Sequence, residues 1–427
     1  MPEHGLLNLQ IDHLDELQRR YESALNEHGF DGVLIASGAA PYRYGDDQRW
    51  HFQGYGPFLH WTGLTGREHS WLLIRTGETP ILWLHEPVDF WHATLPRPEE
   101  PWLERMIVHT LAEAEPPSLP ACGELAVLGD PAQIGSVPGN HNPEALIQTL
   151  NETRVRKTAY EVECLAEANR RALKGHEAAR KVFQEGASEF EISLAYQQAT
   201  GQREADAPYH SIIGVNAHAG TLHYQYYDTA RPDASRSLLI DAGVRYRGYC
   251  SDITRTTAGE GERRFAALIH GLDQLQQRLC TMVTPGTDYA DIHQKAHQGV
   301  AALLSASGLV TGLDDQVMVD EGITRAFFPH GVGHFLGVQV HDVSGKPKPA
   351  SKDSPNLRMS RQLEEGMVVT IEPGLYIIPS LLDPVLEGPL GKHIDTSLVA
   401  ELRGCGGIRI EDNVAVTVDG PRNLTRG

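Results

Sequence analysis

Apolar runs of four or five residues, each stopped by Gly, Pro or Asp, recur along the first third of the chain. DGVLIASG (around 32–38), HSWLLIRTG, PILWLHE and ELAVLGD have the length and aliphatic content of short buried strands. Ahead of them, MPEHGLLNLQIDHLDELQRR has the spacing of an amphipathic helix that ends near Gly29. Between the strands, the aromatic-rich YRYGDDQRWHFQGYGPFLHW keeps neither period and reads as a loop or edge region. Residues 1–155 thus predict an N-terminal α/β domain.

The pattern changes near Arg156-Lys157. Thr158-Ala159-Tyr160-Glu161 has the S/T-x-x-E form of a capping box and opens a helix with Val162, Leu165, Ala168 and Leu173 on its inner face. Ser188-Glu189-Phe190-Glu191 opens the next helix in the same way. A weak internal repeat follows, in which EGASEFEI (185–192) resembles PGTDYADI (285–292). Downstream of the first copy LLIDAG ends a strand on a carboxylate and a glycine, and downstream of the second VVTIEPG does the same. Each is followed by another carboxylate, Asp252 and Glu411. Residues 156–427 therefore predict two similar half-domains around a pseudo-two-fold axis, each delivering two carboxylates. The whole chain is of α+β class.

Composition narrows the function. The 427 residues suffice for two domains, and no apolar run approaches the roughly 20 residues that span a bilayer. The formal charge is 37 − 56 = −19, which argues against nucleic acid or an anionic membrane as main partner, since both require positive surface. The N-terminus lacks the basic and apolar regions of a signal peptide. Five dispersed cysteines without CxxC spacing read as free thiols in a reducing compartment, so a cytoplasmic location is expected and zinc–thiolate chemistry is not.

The candidate chemistry lies in the second half. Asp241 in LLIDAG, Asp252 in YCSDITRT, His334 in FPHGVGHFLG, Glu372 in VVTIEPG and Glu411 in GGIRIEDN are metal-ligand types in ordered contexts. Four carboxylates and one imidazole are too few for two separate cages but suit two hard divalent ions sharing bridging carboxylates. Taken singly, each Asp is more ordinarily a turn or cap residue. A carboxylate directly after SLLI or VVTI is buried, however, and requires a cation or several donors. Gly243 and Gly248 suit a tight connection between the strands bearing Asp241 and Asp252. Arg409 and Glu411 alternate with Ile408 and Ile410 and share a strand face, either as an internal ion pair or as a ligand beside a substrate-anchoring arginine. The glycines in HGVGH place His330 and His334 on a strand or loop rather than a helix. His223 and His341 complete a set of imidazoles suited to proton relay or carbonyl polarisation.

As an ordered set, these motifs resemble the metallopeptidase family with the pita-bread fold, which includes prolidases, X-Pro aminopeptidases and methionine aminopeptidases. The likeness runs over about 156–420, with a weaker likeness to a creatinase-like α/β domain before it. FPHGVGHFLGVQVHDV, TIEPGLYIIPSLL and GGIRIEDN are most similar to bacterial Xaa-Pro dipeptidases. The resemblance implies that Asp241 binds one ion, that Asp252 and Glu411 bridge both, and that His334 and Glu372 bind the other. It implies Glu372 as general acid/base, attack by a metal-bridging hydroxide, and His223, His330 and His341 as pocket histidines. Arg409 is implied as the clamp on the substrate carboxylate, with Tyr209 and Tyr289 lining small pockets. Asp47 (in Asp46-Asp47-Gln48) and Trp91 match positions that reach a neighbouring subunit's site, so a homodimer is implied; the plain reading of the two is a surface loop and a core aromatic. The donor set favours two Mn²⁺ ions, with Co²⁺ or Zn²⁺ possible in vitro. Xaa-Pro dipeptides are the implied substrates, with a side activity on organophosphate triesters and fluorides. Val332 replaces the usual Leu or Ile, and LLDPVLEGPLGKHIDTSLVAELRGC is unfamiliar, expected as a loop and hairpin near the pocket. The competing readings are an X-Pro aminopeptidase acting on longer peptides and a metal-free binding module; the intact ligand set opposes the second, and a creatinase-like activity with it.

Overall fold

The computed structural model describes residues 3–346 and 356–427. Two compact units emerge: Met1–Cys164 with Arg247–Tyr249, and Leu165–Tyr246 with Cys250–Gly427.

The N-terminal unit begins with helix α1 (Glu3–His28), ended at Gly29, whose positive φ of 73° suits a residue without Cβ. The expected strands are present as β1 (Gly32–Ala36), β2 (Trp71–Arg75), β3 (Ile81–His85) and β5 (Leu125–Leu128). Two more, β4 (Ile107–Leu111) and β6 (Asn140–His141), extend a mixed sheet of order β4-β3-β2-β1-β5-β6. Both are mostly exposed, so neither shows the apolar signature of the inner strands. The aromatic-rich stretch is largely irregular, as read, but its end forms helix α2 (Gly56–Thr62) with Pro57 in the first turn. Helices α3 (Pro131–Ile134) and α4 (Glu144–Thr153) complete the unit. Strand alternation divides its core: Val33, Ile35, Leu72 and Ile74 pack with α1 residues Leu14, Leu17 and Tyr21, while Leu34, Trp71, Leu73 and Trp83 face the other side.

The second unit has the internal symmetry that the repeat suggested. Helices α5 (Ala159–Gln184) and α6 (Glu189–Thr200) accompany strands β7 (Ile212–Val215) and β8 (Ser237–Asp241); β9 (Arg245–Tyr246) and β10 (Tyr249–Cys250) form a small ladder before β11 (Thr254–Ala258). Helices α7 (Arg263–Cys280) and α8 (Tyr289–Ser307), then the short α9 (Asp315–Asp320) and α10 (Ile323–Phe327), precede β12 (Val368–Ile371) and β13 (Gly374–Tyr376). Helices α11 (Pro379–Glu387) and α12 (Thr396–Arg403) and strands β14 (Gly407–Arg409), β15 (Asp412–Thr417) and β16 (Gly420–Asn423) finish the chain. In the sheets β11-β8-β7 and β12-β15-β16 the antiparallel pairs β8–β11 and β12–β15 correspond, the first strand of each leading into LLIDAG or VVTIEPG. Gly186 and Gly286 both have positive φ (79° and 86°), each two residues before the N-cap, Ser188 or Asp288, of α6 or α8. The Ser188–Glu191 capping box has both reciprocal hydrogen bonds, and so does Thr158–Glu161.

Two expectations are corrected. Residues 380–405 form helices α11 and α12 rather than a loop and hairpin; Asp395 caps α12 by accepting from the Leu398 N–H at 2.9 Å. The inner stripe of α5 includes buried Asn169, Ala172 and His176, while Val162 and Leu173 are only partly covered. His176 donates from Nε2 to the Ala242 carbonyl (3.0 Å), a polar contact that an apolar-stripe rule cannot anticipate.

Candidate metal centre

Strand register brings the four carboxylates together. Asp241 ends β8 opposite Thr254 on β11, with Asp252 two residues before Thr254. In the other half Ile371 ends β12 opposite Asp412 on β15, so Glu372 and Glu411 flank that pair. A backbone bridge, Thr254–Glu411, joins the two ladders. His334 arrives on HGVGH, which runs beside β12: the Thr370 N–H donates to the His334 carbonyl (2.9 Å) and the Glu372 N–H to the Val332 carbonyl (2.9 Å). Gly333 makes this approach possible, since a Cβ there would lie 2.2 Å from the Thr370 carbonyl oxygen.

Asp252, His334 and Glu411 place one ligand atom each within 4.8 Å of the others, and all three are buried. His334 Nδ1 donates to the Phe335 carbonyl (2.8 Å), which leaves Nε2 facing Asp252 Oδ2 at 3.3 Å and Glu372 Oε1 at 3.7 Å. This is the tautomer control that a metal-bound imidazole needs. Burial and the neighbouring carboxylates push the Glu411 carboxyl well above its usual range. Burial raises Glu372 to about 7 and raises Asp241 in spite of Arg409. Asp252 is held low, because His334 outweighs its burial, and His334 is raised in turn by Asp252 against the effect of its own burial. Four carboxylates gather here, and the buried guanidinium of Arg409 pairs with Asp241. That donor set fits divalent cations in number, type and charge.

These residues open on a cavity of about 650 Å³ lined wholly by the C-terminal unit, with Tyr209, His223, His330, His341, Lys346, Arg358 and Arg409 among its walls. Tyr209 donates to Asp241 Oδ1 at 2.7 Å. His223 and His341 are exposed at the cavity; His341 is held low, to about 4, by partial burial and by His334. His330 is pushed down to about 3 by burial and Arg409, so it is neutral. Its Nδ1 donates to the Gly331 carbonyl (2.8 Å), leaving Nε2 to accept from the Tyr376 hydroxyl at 2.9 Å.

Arg409 lines the cavity, and three of its five N–H groups donate to Thr254 Oγ1 (3.1 Å), Tyr376 Oη (2.8 Å) and Asp241 Oδ2 (2.6 Å). It pairs with Asp241 rather than Glu411. Two readings do not fit the geometry, Tyr289 as a pocket wall and Trp91 as a core aromatic. Tyr289 does not line the cavity; it is fully buried at the start of α8 and donates to the Thr370 carbonyl (2.7 Å), backing the HGVGH segment. Trp91 is 77% exposed beside Phe90, so it is no core aromatic, and Asp47 is likewise exposed in the N-terminal unit.

Sequence reasoning missed Arg358 and Lys346. Both are exposed cations in the cavity wall, without a hydrogen bond or ion pair among the described residues. It also missed Tyr376, whose hydroxyl lies inside the apolar run GLYII and links Arg409 to His330. A tyrosine within a fully buried strand was the available signal, since such a hydroxyl requires a partner.

Comparisons with known proteins agree with this geometry. The family model for metallopeptidase family M24 matches residues 163–418, and that for the Xaa-Pro dipeptidase N-terminal domain matches 8–151. The chain is 66% identical over 426 residues to a Xaa-Pro dipeptidase of Marinobacter nauticus, covering 100% of this chain and 99% of that one. It is 44% identical to a Xaa-Pro dipeptidase of Aeromonas hydrophila, covering 98% of each. Aminopeptidase P from E. coli, solved with the inhibitor Pro-Leu, superposes with a TM-score of 0.74 at 22% identity over 97% of this chain and 95% of that one, a likeness of fold. With its ligand-type residues converging as described and its catalytic half matched by that model, the chain belongs to metallopeptidase family M24.

Proposed function

We propose that the protein is a two-metal dipeptidase that cleaves Xaa-Pro dipeptides into a free amino acid and proline. The observation that carries this is the set of buried Asp241, Asp252, His334 and Glu411 with partly covered Glu372, opening on a cavity whose wall carries Arg358 and Lys346, cations without a partner among the described residues. Full-length identity to named Xaa-Pro dipeptidases supports the substrate class.

Asp241 would hold one ion, His334 and Glu372 the other, and Asp252 and Glu411 both, with Mn²⁺ favoured by the oxygen-rich set and Co²⁺ or Zn²⁺ as substitutes. When bound, the pair supplies an activated water and polarises the scissile carbonyl. Glu372, at the mouth of the ligand set, is placed to accept a proton from that water and return it to the departing prolyl nitrogen. A prolyl amide has no N–H, so recognition falls on the two termini and the ring. Arg358 and Lys346 meet the free carboxylate, while His223 and His341 stand at the cavity to donate to the developing oxyanion. Arg409 instead orients Asp241 and, through Tyr376, His330.

A kinetic split tests this assignment. Arg358→Ala should raise KM for Ala-Pro by roughly tenfold or more with kcat little changed, the loss of a charge-assisted contact. Arg409→Ala should mainly lower kcat. The reverse pattern would return the clamp to Arg409. A preference for Ala-Pro-Ala over Ala-Pro would reject the dipeptidase in favour of an X-Pro aminopeptidase.

The reading extends to a cytoplasmic homodimer in which exposed Asp47 and Trp91 approach the partner's cavity, and to slow hydrolysis of organophosphate triesters and fluorides. Light scattering at micromolar protein and turnover of diisopropyl fluorophosphate by the Mn²⁺ form check these; a monomer, or no turnover, removes them. Among the described residues no helix is long and apolar enough to cross a membrane.

A further inference from the structure

Glu411 is followed by two residues, Asp412 and Asn413, that are wholly buried and do not line the cavity. Asn413 turns toward the backbone of a ligand strand and Asp412 toward a pair of arginines. The Asn413 side chain grips the peptide of Asp252 from both sides: Oδ1 accepts from the Asp252 N–H (3.0 Å) and Nδ2 donates to the Asp252 carbonyl (2.5 Å). The Asn413 N–H donates to Thr425 Oγ1 (2.9 Å), and that hydroxyl donates to Asn169 Oδ1 (2.7 Å). Asp412 is clasped by two arginines. Arg255 Nη2 donates to its Oδ1 (2.6 Å), while Arg426 Nε (2.5 Å) and Asn423 Nδ2 (2.8 Å) donate to Oδ2. Arg255 Nη1 also donates to the carbonyls of Glu411 (2.7 Å) and Thr254 (2.9 Å), and Arg426 is itself anchored by Asp273 (2.6 Å).

The need for such a brace follows from the topology. Asp252 and Glu411 come from different half-domains; the Thr254 hydroxyl donates to Glu411 Oε2 (2.7 Å) and Thr256 Oγ1 bonds the Arg409 backbone, but neither contact reaches Asp252. Among the described residues the backbone supplies one bridge between the ladders, Thr254–Glu411. Two ions sharing both carboxylates require the separation of those carboxylates to be held within about half an ångström. Asn413 carries one ligand's peptide on the other ligand's strand, and the Arg255–Asp412–Arg426 chain fixes the peptide of Glu411 against Thr254.

We infer that Asn413 and Asp412, with Arg255 and Arg426, are positioning residues that set the spacing of Asp252 and Glu411 and thereby the affinity for the second ion. This rests on the two-metal reading above. The test is calorimetric titration of Mn²⁺ into chelator-stripped full-length protein, with the melting temperature of the metal-free form measured alongside. Wild type should bind two ions. Asn413→Ala should weaken the second by about 10- to 100-fold, the usual effect of removing an outer partner of a metal ligand. Arg426→Ala, at a partly exposed site, should fold readily and weaken it by about threefold or more, with Arg426→Lys recovering part of the loss. Wild-type affinity for both ions in Arg426→Ala and in any folded Asn413→Ala overturns the inference, whatever the melting temperatures do, because a merely structural role would move only those. A wild-type protein that takes up fewer than two ions instead overturns the two-metal reading itself.

Discussion

Two buried clusters of histidine and carboxylate meet the same geometric test for holding a metal: Asp252, His334 and Glu411 in the C-terminal unit, and His13, His60 and Glu161 in the N-terminal unit. Their electrostatics are opposite. In the second cluster one carboxylate faces two imidazoles. His13 Nε2 donates to the His60 carbonyl (3.0 Å), His60 Nε2 donates to Glu161 Oε1 (3.1 Å), and the Thr158 N–H donates to Glu161 Oε2 (2.8 Å). Burial presses Glu161 upward, but His60, His13 and Lys157 outweigh it and hold the carboxyl far below its usual range; burial pushes His13 down to about 4. There a lone carboxylate is satisfied by hydrogen bonds from His60 and Thr158. In the first cluster like charges crowd together, and Glu411 and Glu372 are both pushed up. Unrelieved repulsion among buried carboxylates, rather than the proximity of ligand atoms, is what marks a metal centre.

The sharpest way to break this contrast is to remove a shared ligand. Asp252→Asn or Glu411→Gln should lower kcat for Ala-Pro by at least about 100-fold, roughly 2.7 kcal/mol of barrier, and reduce bound Mn²⁺ measured by elemental analysis. Retention of more than about a tenth of the activity contradicts a bridging role, since a factor of ten is only about 1.4 kcal/mol.

The two clusters also differ in how far they were legible in the sequence. Asp241 and Glu372 announced themselves as charges ending apolar strands, and the repeat around Gly186 and Gly286 correctly suggested two carboxylates from each half. His13, His60 and Glu161 left no such trace. They lie on three separate elements, α1, α2 and the start of α5, and helical periodicity alone cannot show that a histidine on one faces a glutamate on another. The same holds inside the cavity. Arg409 was visible as a strand-borne charge beside Glu411, but its commitment to Asp241 and Tyr376 depends on register across two half-domains. Arg358 occupies an irregular segment where neither period operates, and the short exposed strand β4 lacked the apolar run by which β1, β2, β3 and β5 were found.

If the N-terminal cluster is a self-satisfied network, disturbing it should alter stability and leave the chemistry alone. Glu161→Gln removes the anion from a buried, hydrogen-bonded pair, a change that typically destabilises by about 3 kcal/mol or more. The expected outcome is a lower urea midpoint with Mn²⁺ stoichiometry unchanged and kcat within about twofold of wild type. Loss of one bound ion in this variant would show that the cluster is a metal site and that the electrostatic distinction drawn here is wrong.

The smallest expected effect comes from protons. His13 in the folded protein is held near 4 against an ordinary value of 6.5. The unfolded chain therefore binds a proton at His13 that the folded chain refuses, and stability contributed by the neutral imidazole is lost as pH falls below 6.5 toward 4. Glu161 does not oppose this in the same window, because its unfolded carboxyl titrates only below about 5. His13→Gln keeps a donor for the His60 carbonyl but cannot titrate. Between pH 6.5 and 5.5, metal-free wild type should therefore lose about 1 kcal/mol more than His13→Gln, read from urea unfolding at each pH. Chelation keeps proton–metal competition at Asp252, His334 and Glu411 out of the difference; the buried histidines outside the cluster, His176, His293 and His297, are common to both proteins and cancel, and His60 keeps its hydrogen bond to Glu161 in both. Parallel pH profiles for the two proteins would mean that His13 is as protonated when folded as when unfolded, and the cluster would then carry a second cation that its single carboxylate cannot balance.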